Sequence, residues 1–333
     1  MERPSLPSHH ELRKKISNRT TVTEFLLLEF SYVRELQILH FVVFLVVYLA
    51  ALVGNLLIIT TVAIDHRLHT PMYFFLANLS ILDLGSISVT VPKSMANSLL
   101  GTRSISYSGC IVQVFLFMFL LPADLALLTV MAYDRYVAIC HPLHYERVMN
   151  RRACVHMAAG AWMSCVVYSA LHTGNTFTLT FCDNNVVDQF FCEIPQLLKL
   201  ICSGSYLNEV GVIAFGACVA FSCFVFIIVS YVQIFKAVLR MPSEQGRHKA
   251  FSTCLPHLAV VSLFLCTTSF AYLKPSSKST SILDLVSAVL YSVVPPVMNP
   301  VIYSMRNKEI KDALRKLMWW RLFTKKKRTV CLP

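Results

Sequence analysis

Long apolar stretches recur along the chain and are too long and too frequent for the core of a soluble domain. A helix that crosses a bilayer needs about 20 mostly apolar residues, whereas a strand of a membrane barrel needs only about 9 to 11. Seven windows reach helical length, and they are residues 38–64, 71–96, 110–135, 154–173, 206–239, 250–273 and 282–305. A spanning backbone must also satisfy its own hydrogen bonds, which a helix does alone. The pattern therefore predicts an all-α membrane protein, a bundle of seven transmembrane helices.

The basic residues predict how the bundle is oriented. Cytoplasmic segments of membrane proteins carry an excess of Lys and Arg. With the N-terminus outside, the inner segments contain Arg67, two loop clusters of four, and ten basic residues in 306–333, together 19 of the 30. We therefore expect an extracellular N-terminal segment (1–37), a seven-helix domain (38–305) and a cytoplasmic segment (306–333).

A short apolar stripe follows the seventh window. Its members recur at helical spacing with Lys and Arg opposite, and they are Ile310, Ala313, Leu314, Leu317 and Met318. This spacing predicts a short amphipathic helix that lies along the inner leaflet. The basic run at 325–328 is either attracted to anionic lipid or simply solvated.

Composition narrows the class further. The chain is 56% hydrophobic and only 14% charged, whereas soluble domains carry about 25% charged residues. The net charge of +12 comes mainly from the segment 306–333. We therefore expect the lipid bilayer as a partner and do not expect the chain to bind nucleic acid. We expect a multi-pass protein of the plasma membrane.

Signatures of enzymes and transporters are missing from the sequence. There is no P-loop, HExxH or GxSxG motif, so the chain is not expected to be an enzyme. Seven spans do not divide into equal repeats, and no paired broken helices suggest a transporter. No lysine lies in 282–305 to form a Schiff base, which argues against a light receptor.

Four of the twelve cysteines fall on the predicted outer face, and they are Cys110, Cys182, Cys192 and Cys202. An even set in an oxidising compartment indicates two disulfides. Four cysteines allow three pairings, and spacing alone does not choose among them. We adopt Cys110–Cys192 and Cys182–Cys202 as the predicted pairs. On the same side, Asn18 begins an Asn-x-Thr triplet and is a candidate glycosylation site.

Six short motifs occur in order on the predicted spans. They are GN at 54–55, LHTPMYFFLANLSILD at 68–83, MAYDRYVAIC at 131–140, SY at 230–231, KAFSTCLPH at 249–257 and PPVMNPVIYSMRN at 295–307. Together they resemble the vertebrate olfactory receptors, within the rhodopsin-like G protein-coupled receptors. The resemblance covers residues 20–310. It implies a receptor that binds small, mostly neutral volatile odorants and activates a heterotrimeric G protein of the stimulatory olfactory type, which raises cAMP.

The acid and the arginine of MAYDRYVAIC stand at the inner end of the third window. There an arginine can be held by its neighbouring acid and released when the helices part. The resemblance implies that Arg135 meets the G protein and that Tyr231 and Tyr303 move toward it on activation. The full set implied for coupling and activation is Asp134, Arg135, Tyr136, Tyr231, Lys249 and Tyr303.

Four polar residues inside the bundle resemble an interior polar cluster of the same family. They are Asn55, Asp83, Asp124 and Asn299. Charges at this depth are costly and usually functional, and Asp124 lies about 21 Å below Cys110 along an ideal helix. Two such acids cannot both be ionised without a cation or a shared proton. We expect a sodium ion or a proton at Asp83 and Asp124, and the alternative is a protonated, hydrogen-bonded packing pair.

The third helix presents an apolar face to the interior over its outer half. Val114, Phe117, Leu121 and Asp124 are spaced i, i+3, i+7 and i+10, and so lie on one face. The resemblance places a ligand pocket between the outer halves of the third, fifth, sixth and seventh helices. The matching residues are Phe117, Met118, Leu121, Phe215, Val219, Leu265, Thr268, Ser269, Tyr272 and Ser292. This set has no charge, which suits small neutral ligands, although plain helix packing is the alternative for each member.

Three residues depart from the pattern of the family. Pro122 and Pro256 each remove a backbone donor, and each is expected to kink its helix. Leu265 stands where the family usually has a tyrosine, so an activation contact at that position is not carried over.

Overall fold

A computed structural model describes residues 23–28, 30–31, 33–181, 185–202, 207–273, 282–306 and 309–316 of the chain. Within these residues, seven helices are long and apolar enough to cross a membrane. The seven spans, numbered in chain order, are Arg34–Ile64, Pro71–Leu100, Tyr107–Cys140, Arg151–Thr178, Leu207–Leu239, Glu244–Leu273, and a seventh made of Ile282–Ser292 and Val294–Arg306. The predicted all-α fold of seven spanning helices is confirmed.

Most of the helices extend a few residues beyond the apolar windows predicted from the sequence. Capping residues mark several of their ends. The second span begins at Pro71, whose missing N–H costs nothing at the first helical position. It ends before Gly101, which has φ 64° and supplies the left-handed residue that terminates many helices. The fourth span begins after Asn150, whose side chain accepts from the Ala153 N–H at 2.9 Å. At these three ends, local capping signals therefore mark where the helix begins or stops.

The seventh span is present at the predicted position, but a one-residue break that the sequence analysis did not predict interrupts it. The helix ends at Ser292 and a new one begins at Val294. Pro295 and Pro296 lack the N–H groups that would have continued the hydrogen-bond ladder. By contrast, the third and sixth spans continue through Pro122 and Pro256 as single helices.

A small sheet covers the outer end of the bundle. Its strands are β1 (Glu24–Leu27), β2 (Ser104–Ser106) and β3 (Val186–Val187), in the order β2-β1-β3. β1 pairs antiparallel with β2 and parallel with β3, and Phe25 is fully buried beneath it. Residues Glu24–Leu27 are thereby held against the loop between the fourth and fifth spans.

The inner end carries a helix after the seventh span. Residues 309–316 are helical, and the side chains of Ile310 and Ala313 are buried against the bundle. The Tyr73 hydroxyl at the start of the second span hydrogen-bonds to the Glu309 carboxylate. The predicted amphipathic helix is present over these residues, while Leu317 and Met318 lie outside the described part of the chain.

The first and seventh spans pack unusually closely at one glycine. A Cβ atom placed on Gly54 would lie 3.0 Å from Pro300 Cγ. The next residue, Asn55, donates from Nδ2 to the Pro296 carbonyl oxygen at 2.9 Å. The GN pair at 54–55 therefore brings the interrupted seventh span against the first.

Candidate functional site

Four aromatic side chains meet in the outer half of the bundle. Phe117, which is 1% exposed, has its ring centroid 5.0 Å from that of Phe191 and 5.9 Å from that of Tyr291. Phe190 packs on Phe191 at 4.9 Å. We call Phe117, Phe190, Phe191 and Tyr291 the aromatic cluster. It joins the third span, the seventh span and the loop between the fourth and fifth spans.

A disulfide fixes that loop to the third span. Cys110 and Cys192 are bonded, with Cα atoms 5.6 Å apart, so the structure contains the first of the two predicted pairs. The Cys192 backbone N–H also donates to Gln113 Oε1 at 2.7 Å. These two links explain why the phenylalanines just before Cys192 reach the bundle interior. Cys202 is disulfide-bonded, and its predicted partner Cys182 lies outside the described residues, as does Asn18.

An acid follows immediately in the same loop. Glu193 is 8% exposed; its carboxylate accepts a hydrogen bond from the Tyr291 hydroxyl and another from Gln189 Nε2 at 3.2 Å. Burial raises the pKa of the Glu193 carboxyl, whereas hydrogen bonds from Tyr291, Gln189 and Gln196 and the charge of Lys199 act in the opposite direction. The carboxyl is therefore buried and supplied with donors.

Six of the predicted ligand residues lie inside or along the bundle interior. Leu121 is partly buried against the aromatic cluster, and Met118 packs beside Cys110 in the neighbouring apolar group. Ser292 is fully buried, and its hydroxyl donates to the Ala288 carbonyl at 2.6 Å. The others of this group are Phe117, Leu265 and Thr268.

Three of the remaining four do not join them. Phe215 and Val219 are 64% and 47% exposed, and Ser269 is exposed as well. The buried stripe of the fifth span contains Ile227 and Tyr231, and Val219 and Phe215 lie roughly 90° and 130° around the helix from that stripe. The prediction that they face the interior therefore fails for a geometrical reason. The side chain of Tyr272 lies outside the described residues.

The interior polar residues form a buried group at mid-depth. Asn299 Nδ2 donates to both carboxylate oxygens of Asp83 at 3.1 Å. Three buried side-chain oxygens have no hydrogen-bond partner, one each on Asn55, Asp124 and Asn299. Carboxylate and amide oxygens are the donors that hard cations prefer. The donor types present are therefore compatible with a sodium ion, and equally with a proton on one carboxyl.

The acid and arginine at the inner end of the third span are paired and buried. Arg135 Nη1 lies 3.4 Å from Asp134 Oδ2, and the Tyr145 hydroxyl donates to Asp134 Oδ1 at 2.8 Å. Burial, and then the neighbouring Asp134 carboxylate, raise the pKa of Tyr145, which keeps its hydroxyl protonated as a donor. Arg135 is thereby held inside the bundle.

Two tyrosines of the predicted coupling set are buried near this pair. The Tyr231 hydroxyl lies 2.7 Å from His257 Nδ1, and His257 Nε2 lies 3.1 Å from the Leu128 carbonyl oxygen. Tyr303 is buried, and its hydroxyl has no hydrogen-bond partner. Tyr303 and Arg135 line one small cleft at the inner end. An open arrangement could bring these groups together.

The other two members of the coupling set lie nearer the surface. Tyr136 is partly buried, and its hydroxyl lies 3.0 Å from His141 Nε2. Lys249 is exposed at the start of the sixth span. Both therefore stand at the inner rim, where a cytoplasmic partner could touch them.

Sequence reasoning missed five residues of these sites. Phe190, Phe191 and Glu193 belong to the outer loop between the fourth and fifth spans. Tyr291 belongs to the seventh span, and His257 is the buried histidine of the sixth span. The pair of phenylalanines directly before a predicted disulfide cysteine was the available signal for the loop. A histidine inside an apolar span was the signal for His257, because buried polar groups need partners.

Comparison with known proteins gives one consistent result. The family model described as Olfactory receptor matches residues 44–321. Olfactory receptor 14I1 of Homo sapiens is 55% identical over 310 residues, which cover 93% of this chain and 98% of that protein. Human olfactory receptors 14J1 and 14A16 are each 52% identical, over 90% and 93% of this chain and 94% and 100% of their own lengths.

Proposed function

Because the chain belongs to the olfactory receptor family of rhodopsin-like G protein-coupled receptors, we propose that it binds small, mostly neutral volatile molecules within the helix bundle and raises cAMP through a stimulatory olfactory G protein. Its family makes it an odorant-sensing, multi-pass receptor of the plasma membrane and not an enzyme. The ligand class, the site residues and the type of G protein are the parts that we propose.

The buried aromatic cluster is the observation that carries the ligand proposal. It is apolar and buried, and a disulfide fixes the loop that supplies two of its rings to the third span. Apolar ligand sites gain affinity from apolar burial and orientation from one or two hydrogen bonds. Ligand contacts are assigned to Phe117, Met118, Leu121 and Ser292, with Leu265 and Thr268 on the sixth span.

The buried Asp134–Arg135 pair supports the coupling step. In the resting arrangement Arg135 is bonded to its own neighbour and Tyr231 to His257, so neither is presented to a partner. A ligand that prefers an open arrangement of the fifth and sixth spans shifts the population toward it. Release of Arg135 then creates the surface for the G protein, with Tyr136 and Lys249 at its rim.

The interior polar group is assigned a stabilising role in the resting state. Asn55, Asp83, Asp124 and Asn299 would hold a sodium ion or a shared proton through their oxygen atoms. Either occupant neutralises part of the charge on two buried carboxyls. Opening of the bundle would disturb this group and release the occupant.

A cAMP assay tests the proposal. Cells that express the chain with a stimulatory olfactory G protein are screened against neutral volatiles, with Arg135→Ala as the matched variant. We expect a response to at least one volatile that is lost in the variant at equal surface expression. Silence of the wild type across the panel despite verified surface expression would contradict the proposal.

A further inference from the structure

Glu193 stands directly behind the aromatic cluster. Its carboxylate accepts the hydroxyl of Tyr291, and the Tyr291 ring is itself a wall of the cluster, 5.9 Å from Phe117 and 6.3 Å from Phe191. A ligand that touches Phe117 is therefore one side chain away from a buried acid. None of the residues predicted for the pocket supplies a comparable acceptor.

The donors to this acid differ in where they come from. Gln189 and Gln196 belong to the same loop as Glu193, so they move with it. Tyr291 is the donor that comes from a spanning helix, across the ligand site. If the bundle rearranges around a ligand, the bond from Tyr291 is the one that must stretch or exchange. A buried carboxylate that loses a hydrogen-bond donor is destabilised by its desolvation unless another donor replaces the lost one.

We propose that Glu193 is the polar specificity residue of the ligand site and accepts a hydrogen bond from the hydroxyl of a volatile alcohol or phenol, which takes the place of the Tyr291 hydroxyl. The inference rests on the proposed odorant function and narrows its ligand class. The exchange is one hydroxyl for another, so the carboxylate keeps its number of donors. A ligand of the same shape that has no hydroxyl donor either leaves the Tyr291 bond in place or leaves the carboxylate without that hydrogen bond. Sites built on such a bond discriminate strongly between ligands with and without the donor.

Charge around the loop argues for a neutral hydroxyl rather than an ammonium group. Lys199 donates from Nζ to Gln196 Oε1 at 2.9 Å, and its positive charge already acts on the Glu193 carboxyl. A cationic ligand would bring a second positive charge to an acid that has one nearby. A hydroxyl can replace the hydrogen bond from Tyr291 without that repulsion.

The test compares matched volatiles on three variants of the full-length receptor. Medium-chain alcohols and phenols are each paired with the methyl ether and the primary amine of the same skeleton, and the cAMP response is measured in cells. In the wild type we expect alcohols to act at concentrations about tenfold or more below their ethers, the discrimination typical of one buried hydrogen bond. Tyr291→Phe removes the competing hydroxyl, so alcohols become more potent by a similar factor while ethers do not.

Glu193→Gln should abolish the preference for alcohols over ethers. Asp188→Asn is the matched control, because it makes the same chemical change in the same loop on a side chain that is only partly buried. We expect it to leave the preference intact. A purely structural role for the Glu193–Tyr291 bond predicts that Tyr291→Phe weakens all ligands, and that result would overturn the inference.

A second readout separates this inference from the proposed coupling. The purified receptor in lipid nanodiscs is melted with and without each alcohol and ether, which requires no G protein. A larger upward shift in Tm with alcohols that depends on Glu193 supports the inference even if cAMP does not rise, and then the coupling proposal is the one that fails. Equal shifts from alcohols and ethers in wild type and Glu193→Gln, a response to amines alone, or no shift at all would each overturn the inference.

Discussion

His257 links three spans through one imidazole ring. The Leu128 carbonyl can only accept a hydrogen bond, so Nε2 of His257 carries the proton and Nδ1 accepts from the Tyr231 hydroxyl. His257 thus hydrogen-bonds the sixth span to the third span, and it also accepts the hydrogen bond of the Tyr231 hydroxyl on the fifth span. Both bonds are present together with the Arg135–Asp134 ion pair, in the arrangement that we propose to be the resting one.

Replacement of His257 by Phe should raise basal signalling. The variant loses two buried hydrogen bonds that hold the resting arrangement, each worth about 1 kcal/mol, and it frees the Tyr231 hydroxyl. We expect basal cAMP without ligand to rise several-fold above wild type. His156→Phe is the control, since His156 is exposed on the fourth span. Basal cAMP equal to wild type at equal surface expression would argue against a role for His257 in holding the receptor closed.

A sodium ion in the interior polar group, as we propose, predicts that basal activity depends on sodium. Replacing sodium by a large organic cation should then raise basal nucleotide exchange in membranes that contain the wild type, because the proposed ion would no longer stabilise the resting state. Asp83→Asn should remove this dependence, since Asp83 supplies the carboxylate that Asn299 orients. If exchange in the wild type is indifferent to the cation, the group holds a proton and the sodium assignment is wrong.

At the scale of the residue, the sequence allowed us to identify side chains that are unusual for their depth in the membrane or that belong to a motif. It did not allow us to identify the side chains that the outer loop contributes. Phe117 was predicted because it shares a helical face with Asp124. Phe191 and Glu193 were not, because their position follows from the Cys110–Cys192 bond rather than from any periodicity. Phe215 and Val219 were carried over from the family resemblance, and the rotation of the fifth span decided against them.

At the scale of the element, Gly54 sets the distance between the first and seventh spans. Gly54→Val places side-chain atoms where Pro300 already lies, and such overpacking typically costs about 1 to 3 kcal/mol. We expect a lower Tm for the purified variant. Gly174→Val is the matched control, because no heavy atom lies within 4 Å of its Cβ position. Equal loss of Tm in the two variants would show that helix propensity, and not the contact with Pro300, is responsible.

The disulfide between the third span and the outer loop supports the aromatic cluster. Because Cys110 and Cys192 are 82 residues apart, the chain-entropy model assigns the bond about 4 to 5 kcal/mol. Cys110→Ser should therefore strongly reduce surface expression and ligand response. Cys218→Ser is the control, since Cys218 is free and exposed. Normal surface expression of the Cys110 variant would contradict this assignment.

The spans could be predicted from sequence because hydropathy and helix length report directly on the bilayer. The interruption at Val293 was not predicted, although Pro295 and Pro296 were visible in the motif. The outer sheet was not predicted either, since β1, β2 and β3 are two to four residues long and the Leu26–Val186 pairing joins distant parts of the chain. Short strands with long-range partners leave no local periodic signal.

At the scale of the whole molecule, the aromatic cluster, the interior polar residues and the Asp134–Arg135 pair lie at three levels of the same helices. The third span carries Phe117 at the outer end, Asp124 at mid-depth and Arg135 at the inner end. The seventh span carries Tyr291, Asn299 and Tyr303 at the corresponding levels. A ligand that changes how these two spans and the sixth fit together can therefore alter all three levels at once.

The most direct test of this account is nucleotide exchange on a purified stimulatory olfactory G protein by the receptor in lipid vesicles. A volatile found in the cell screen is added to wild type and to Arg135→Ala, each checked for folding by its melting curve. We predict volatile-dependent exchange by the wild type and none by a folded variant. Exchange that is independent of the volatile, or equal in the two proteins, would contradict a receptor that couples through Arg135.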